Sequence, residues 1–139
     1  MKGLTITTLA MTSLLLGMTA VATTAQPVED WTTQAIGTYE SRIWNGGEII
    51  PATTEFIQAT DGSLRGRYTM VEPSGSVPGL LSNCQMAEVQ TIRCDWQDKY
   101  GTGVLEASFT EDFSRFNGYW GTDDEEPWLR WSGTRSRNP

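Results

Sequence analysis

The sequence predicts an all-β fold: a single-domain antiparallel meander, closed as an eight-stranded up-and-down barrel, with a β-sandwich as the alternative architecture. Three observations carry that expectation. Beyond residue 36, short runs alternate apolar and polar side chains and recur about every 10–15 residues. Turn-forming pairs such as Asn45-Gly46 and Asp61-Gly62 punctuate them. No long stretch carries the 3.6-residue period of an amphipathic helix. Eight consecutive strands can close on themselves and so remove exposed edges.

Ahead of the strands, Lys2 is the only charge before Glu29, and an apolar run extends from Leu9 to Val21. That run is shorter than the roughly 20 apolar residues a membrane span needs. Followed by Ala20-Val21-Ala22 and Thr23-Thr24-Ala25, it reads as a secretory signal peptide cleaved after Ala25 or after Ala22. The mature protein is then expected in the periplasm or outside the cell, with no membrane span. Residues 1–25 are the signal, 26–35 an N-terminal extension, 36–135 the barrel domain and 136–139 a tail. Cleavage leaves 114 of 139 residues, enough for one core.

The first strand is expected over Ile36 to Trp44, ended by Asn45-Gly46-Gly47. Ile49 to Ala59 follows, with Pro51 near its start, where a missing N–H does least harm. Leu64 to Val71 is the clearest strand: Leu64, Gly66, Tyr68 and Met70 share one face, and Arg65, Arg67 and Thr69 the other. Glu72 to Gly79 holds two Pro and two Gly and reads as a loop. Leu80 to Met86 and Thr91 to Asp98 form a hairpin, the second arm pointing Ile92, Cys94 and Trp96 one way and Arg93 and Asp95 the other. Tyr100-Gly101-Thr102-Gly103 turns into Val104 to Phe109, then Arg115 to Gly121 and, past an acidic loop over Thr122 to Pro127, Trp128 to Arg135. Gly66, Gly118 and Gly133 recur inside strands beside large neighbours, where a missing side chain leaves room or permits a bend.

Cys84 and Cys94 are the only cysteines, and in an oxidising compartment they should form a disulfide. A hairpin folded about Val89 sets Cys84 opposite Cys94, Met86 opposite Ile92 and Ser82 opposite Trp96. Directly opposed Cβ atoms lie about 4.5–5.5 Å apart, close to what a disulfide requires.

Past Ala25, nine Lys and Arg face 17 Asp and Glu. Such a surface repels nucleic acid and would attract a cationic protein partner. The chain has no His, which removes the commonest general base and zinc ligand. No phosphate-binding or dinucleotide fingerprint occurs. No cofactor and no metal site are expected, and the protein reads as a non-enzyme. The carboxylates that could serve a hydrolase are Asp95 with Asp98 and Glu111 with Asp112. Asp95 sits on the face opposite Trp96, and Glu111-Asp112 in a turn. Asp123 to Glu126 is the densest acidic cluster and the one place where carboxylates could gather around a cation, though its spacing matches no EF-hand loop.

Six Trp stand at 31, 44, 96, 120, 128 and 131. Trp96 and Trp120 belong to apolar strand faces and read as core or cavity lining. Trp128 and Trp131 have opposite parity, so one of them is expected at a rim or contact surface.

Asp61-Gly62-Ser63-Leu64-Arg65-Gly66-Arg67-Tyr68 resembles the third strand of avidin-type proteins, and Trp96 with Tyr100 resembles their W-x-x-x-Y spacing. Phe116-Asn117-Gly118 stands where that family has W-S-G. The resemblance covers about half of the mature chain and uses motifs shared with lipocalin-like barrels. It implies a meander barrel with a binding site at one open end, lined by Tyr68 and Trp96. The chain departs from the family at Met70, in place of a small hydroxyl residue, at Phe116, and at Trp44-Asn45-Gly46-Gly47, which lacks an N-x-x-G-S arrangement. Tyr100-Gly101-Thr102-Gly103 and Phe116 to Trp120 are also similar to a single MORN-type hairpin. Together these readings make the chain an exported binding protein for a small apolar or sugar-like (carbohydrate) ligand, with Tyr68, Trp96, Trp120, Trp128 and Trp131 as the ligand-binding residues. The alternative is a protein-interaction module, such as an inhibitor of a basic secreted protein.

Overall fold

The computed structural model describes residues 31–137, and ahead of them Gly3 and Gly17 alone. Apart from these two glycines, the expected signal segment, with both expected cleavage positions, lies outside the described residues. Eight strands follow one 3-10 turn (Trp31–Ala35): β1 (Gly37–Asn45), β2 (Glu48–Gln58), β3 (Leu64–Glu72), β4 (Gly75–Glu88), β5 (Thr91–Asp98), β6 (Gly101–Phe109), β7 (Arg115–Thr122) and β8 (Leu129–Arg135). Each pairs antiparallel with its successor, and β8 returns to β1 with Ile43 opposite Trp131 and Tyr39 opposite Arg135. The sheet is a closed up-and-down barrel, not a sandwich. Among the described residues, no helix is long and apolar enough to cross a membrane.

Alternation decides what fills the barrel. Leu64, Gly66, Tyr68 and Met70 point inward on β3 and Arg65, Arg67 and Thr69 outward, as the sequence pattern requires. On β5, Ile92, Cys94 and Trp96 are inside and Arg93 and Asp95 outside. The tight β1–β2 turn falls at Gly46-Gly47, both with positive φ, which suits the strand twist of a two-residue hairpin.

Two expectations are corrected. The segment 72–79 is not a loop: the turn is only Pro73-Ser74, and β4 begins at Gly75. Val77, Gly79 and Leu81 keep the inward alternation through it. Pro78 is tolerated because β5 ends at Asp98, so β4 pairs there only with β3, the edge-like setting that proline accepts. The second correction concerns register. Ser82 faces Asp95, and Leu81 faces Trp96. Asn83 and Cys84 together oppose Cys94, a β-bulge with Asn83 at φ 50. The disulfide Cys84–Cys94 forms as expected, with Cα atoms 4.0 Å apart, and it closes this irregular part of the hairpin.

One end of the barrel is stoppered. Tyr39, Phe56, Phe109, Phe113 and Phe116 form a cluster of mainly edge-to-face ring contacts, and Trp31 from the 3-10 turn caps it. Trp31 and Ala35, from the end of the N-terminal extension, are therefore part of the core. Arg135 ties the plug together: its guanidinium donates to the carbonyls of Phe113, Ile36 and Gln34 and to the Tyr39 hydroxyl. Its planar fork also lies over the Tyr39 ring, 5.1 Å from the centroid. Burial raises the Tyr39 phenol above its ordinary pKa, and Arg135 partly opposes that.

Candidate functional site

The opposite end is open. Here the turns β1–β2, β3–β4, β5–β6 and the longer β7–β8 connection surround a cavity of about 140 Å³. That size matches an engineered apolar cavity of about 150 Å³ that admits benzene. Its lining comes from five strands and one turn, and four of the expected ligand-binding residues belong to it: Tyr68, Trp96, Trp120 and Trp131.

Two strand glycines make this wall possible. Gly79 on β4 is the register partner of Tyr68 on β3. A Cβ there would stand 2.1 Å from Tyr68 Cζ, so the ring lies across the bare backbone of β4. It thereby reaches the next strand, and its hydroxyl donates to Asp98 at 2.8 Å. Gly103 on β6 repeats the device, because the Trp96 indole crosses it and donates from Nε1 to the Gly121 carbonyl at 2.9 Å. Gly79 and Gly103 are thus lanes for large side chains; of the recurring glycines, Gly133 faces the Phe116 ring in the same way, whereas Gly118 first meets the backbone carbonyls of Trp131 and Glu106.

The other indoles are anchored too. Trp131 Nε1 donates to Thr54 Oγ1 at 3.0 Å deep in the barrel, and Ser41 Oγ donates to the same oxygen at 2.8 Å. Trp120 Nε1 reaches across to the Trp44 carbonyl at 3.0 Å. Trp96 and Trp120 meet at right angles with centroids 5.4 Å apart, and Tyr68 sets its ring against Trp131 at 4.6 Å and 74°. These contacts hold the wall in place without a ligand.

The mouth is acidic. Asp98, half-buried, accepts from Tyr68 and from the Tyr100 backbone N–H. Glu72 accepts from the Tyr100 hydroxyl at 2.6 Å and, weakly, from Asn45 Nδ2 at 3.5 Å. Burial and then the Asp98 carboxylate hold the Tyr68 phenol protonated far above its ordinary range. The hydrogen bond to Glu72 is the first cause of a raised Tyr100 phenol.

Trp128 is not part of the lining. It precedes β8, is 62% exposed and donates from Nε1 to Glu125. Trp131, two residues into β8 from Leu129, is the buried member of the pair. The cavity also takes in Ile43, Asn45, Met70, Asp98, Tyr100 and Thr122. Met70 and Asp98 carried a usable signal, since each lies two residues after a lining aromatic on the same strand face. Thr122, two residues after Trp120 on β7, carried the same signal, whereas Asn45 carried none, because only closure of the barrel brings β1 to this rim.

The other carboxylate candidates do not converge. Asp95 faces outward and Asp98 inward on β5. Glu111 and Asp112 lie exposed in the β6–β7 turn, where Asp112 accepts from Thr110 and Ser114. Among the described residues, no group of three acidic, His or Cys side chains is placed to hold a metal ion, the 123–126 loop included.

No protein-family model, no curated protein and no solved structure matches this chain.

Proposed function

We propose that this chain is an exported, non-enzymatic binding protein that takes a compact ligand, apolar or sugar-like, into the open end of its barrel. One observation carries the reading: the barrel is plugged at one end by packed aromatic rings, yet at the other it keeps an anchored aromatic cavity open to solvent. A fold built only to be stable would fill that space, since empty volume costs stability. The enclosed space takes about one ring, so most of a long fatty acid or retinoid-like molecule would be left outside in water. The disulfide supports placement in an oxidising compartment.

The test is intrinsic Trp fluorescence of the oxidised protein, titrated with monosaccharides, small cyclic compounds and, as negative controls, long-chain fatty acids. A saturable shift with a compact ligand, reduced by Trp120→Phe, is expected. The absence of any saturable response across the compact ligands stands against the reading.

A second reading has its own support. Trp44, Ile49, Val71 and Trp128 are all exposed and all stand at the open end. This apolar rim on an acidic domain would suit a cationic protein partner. Salt-sensitive association with a basic protein, lost in Trp44→Ser with Trp128→Ser, is the expected result.

A further inference from the structure

We infer that the cavity selects a small organic cation, an ammonium group carried on a compact apolar body. This rests on the binding reading above and narrows its ligand class. All three indole N–H groups in the wall are already committed, to Gly121, Trp44 and Thr54. Both phenolic protons are committed as well, to Asp98 and Glu72. Asn45 and Thr122 supply the remaining side-chain donors of the lining. What the site keeps to offer is mostly acceptor capacity: the spare lone pairs of two carboxylates and of the tyrosine oxygens. It also offers the negative faces of aromatic rings.

A ligand matching that inventory brings its own N–H or C–H donors and a positive charge. Charge points the same way. Asp98 is the only formally charged lining residue, and Glu72 adds a second carboxylate at the mouth through Tyr100 and Asn45. Lys99 already sets its Nζ over the Tyr100 ring at 5.0 Å, an ammonium on an aromatic face at the same entrance. Inside, a ligand would exchange water for aromatic faces that hold a soft cation, and at the mouth it would meet the carboxylates. An anionic or acceptor-rich ligand would leave its own groups without donors and meet like charge.

The test compares choline with its neutral carbon isostere 3,3-dimethyl-1-butanol, by Trp fluorescence and calorimetry on the oxidised protein, alongside Nα-acetyl-lysine methylamide as a stand-in for a protein side chain. The cationic compounds are expected to bind about tenfold or more tightly than the isostere, with affinity falling as salt rises. Whichever of choline and the blocked lysine binds better tells a free small ammonium compound from a side chain of a partner. Asp98→Asn should remove most of the charge preference. Should that variant misfold, Glu72→Gln at the half-buried rim should weaken the cation several-fold and leave the isostere unchanged. Equal binding of choline and the isostere overturns the cation inference and keeps the binding protein. A saturable response only to neutral sugars does the same. No response to any compact ligand, charged or neutral, overturns both.

Discussion

Substituting Gly79 by Ala tests the packing that shapes the cavity. The new Cβ would meet Tyr68 Cζ at 2.1 Å and its hydroxyl oxygen at 2.4 Å, where ordinary contact begins near 3.4 Å. The ring cannot simply lean away, because Trp131 stands edge-on at 4.6 Å. Tyr68 must therefore leave its lane and give up the hydrogen bond to Asp98. Overpacking of this kind costs about 1–3 kcal/mol. A hydrogen bond to a charged group contributes about 1.5–3 kcal/mol, less here because half-buried Asp98 can turn to water. The sum is about 2–4 kcal/mol, a fall in Tm of roughly 10–20 °C for a domain of this size. Urea and thermal melts of Gly79→Ala read it directly. The decisive assay is the same substitution in a Tyr68→Leu background, where no ring crosses β4. There Gly79→Ala should cost less than about 1 kcal/mol, so the two changes are strongly non-additive. Equal cost in both backgrounds, or a wild-type cost below about 0.5 kcal/mol, would refute the lane.

Three further outcomes follow from the same geometry. Replacing Cys84 and Cys94 by Ser opens a loop of sequence separation 10 and should lower stability by about 2–3 kcal/mol, read as a shift of the urea midpoint and reproduced by reduction of the native protein. Arg135→Lys keeps the charge but loses the fork that holds Phe113, Ile36, Gln34 and Tyr39, so a loss of about 2–3 kcal/mol is expected in thermal melts. The Asp112 carboxyl, held down to about 2 first by the Ser114 hydroxyl and amide and then by Thr110, supports the β6–β7 turn fully above its unfolded pKa of about 4 and loses that effect as pH falls through about 2. A carboxyl NMR titration should place the Asp112 midpoint well below the ordinary carboxylate range.

The fold was legible because a barrel writes itself locally. Inward and outward residues alternate along β3 and β5 whatever the strands' partners are, so Tyr68, Met70, Cys94 and Trp96 could be assigned to one face from the chain alone. The disulfide was legible for the same reason, since ten residues and one turn bring its cysteines together. The Asn83 bulge was not, because the one-residue shift it places between Leu81 and Cys84 is set by the pairing with β5. Composition misled at 72–79, where proline and glycine read as a loop until β5 proved too short to need the N–H of Pro78.

By itself, then, the sequence determined the run of consecutive antiparallel strands, side-chain parity along β3 and β5, the disulfide and the aromatic character of the interior, all properties of near neighbours along the chain. Only the tertiary structure decided which end is plugged, which Trp stays outside, and that Asp98, Glu72 and Tyr100 meet Trp96, Trp120 and Trp131 at one mouth. Those meetings depend on how β1 closes against β8 and on which rings cross Gly79 and Gly103. Contacts between strands far apart in sequence have no local signature, because the free energy that selects them is the packing of the whole barrel.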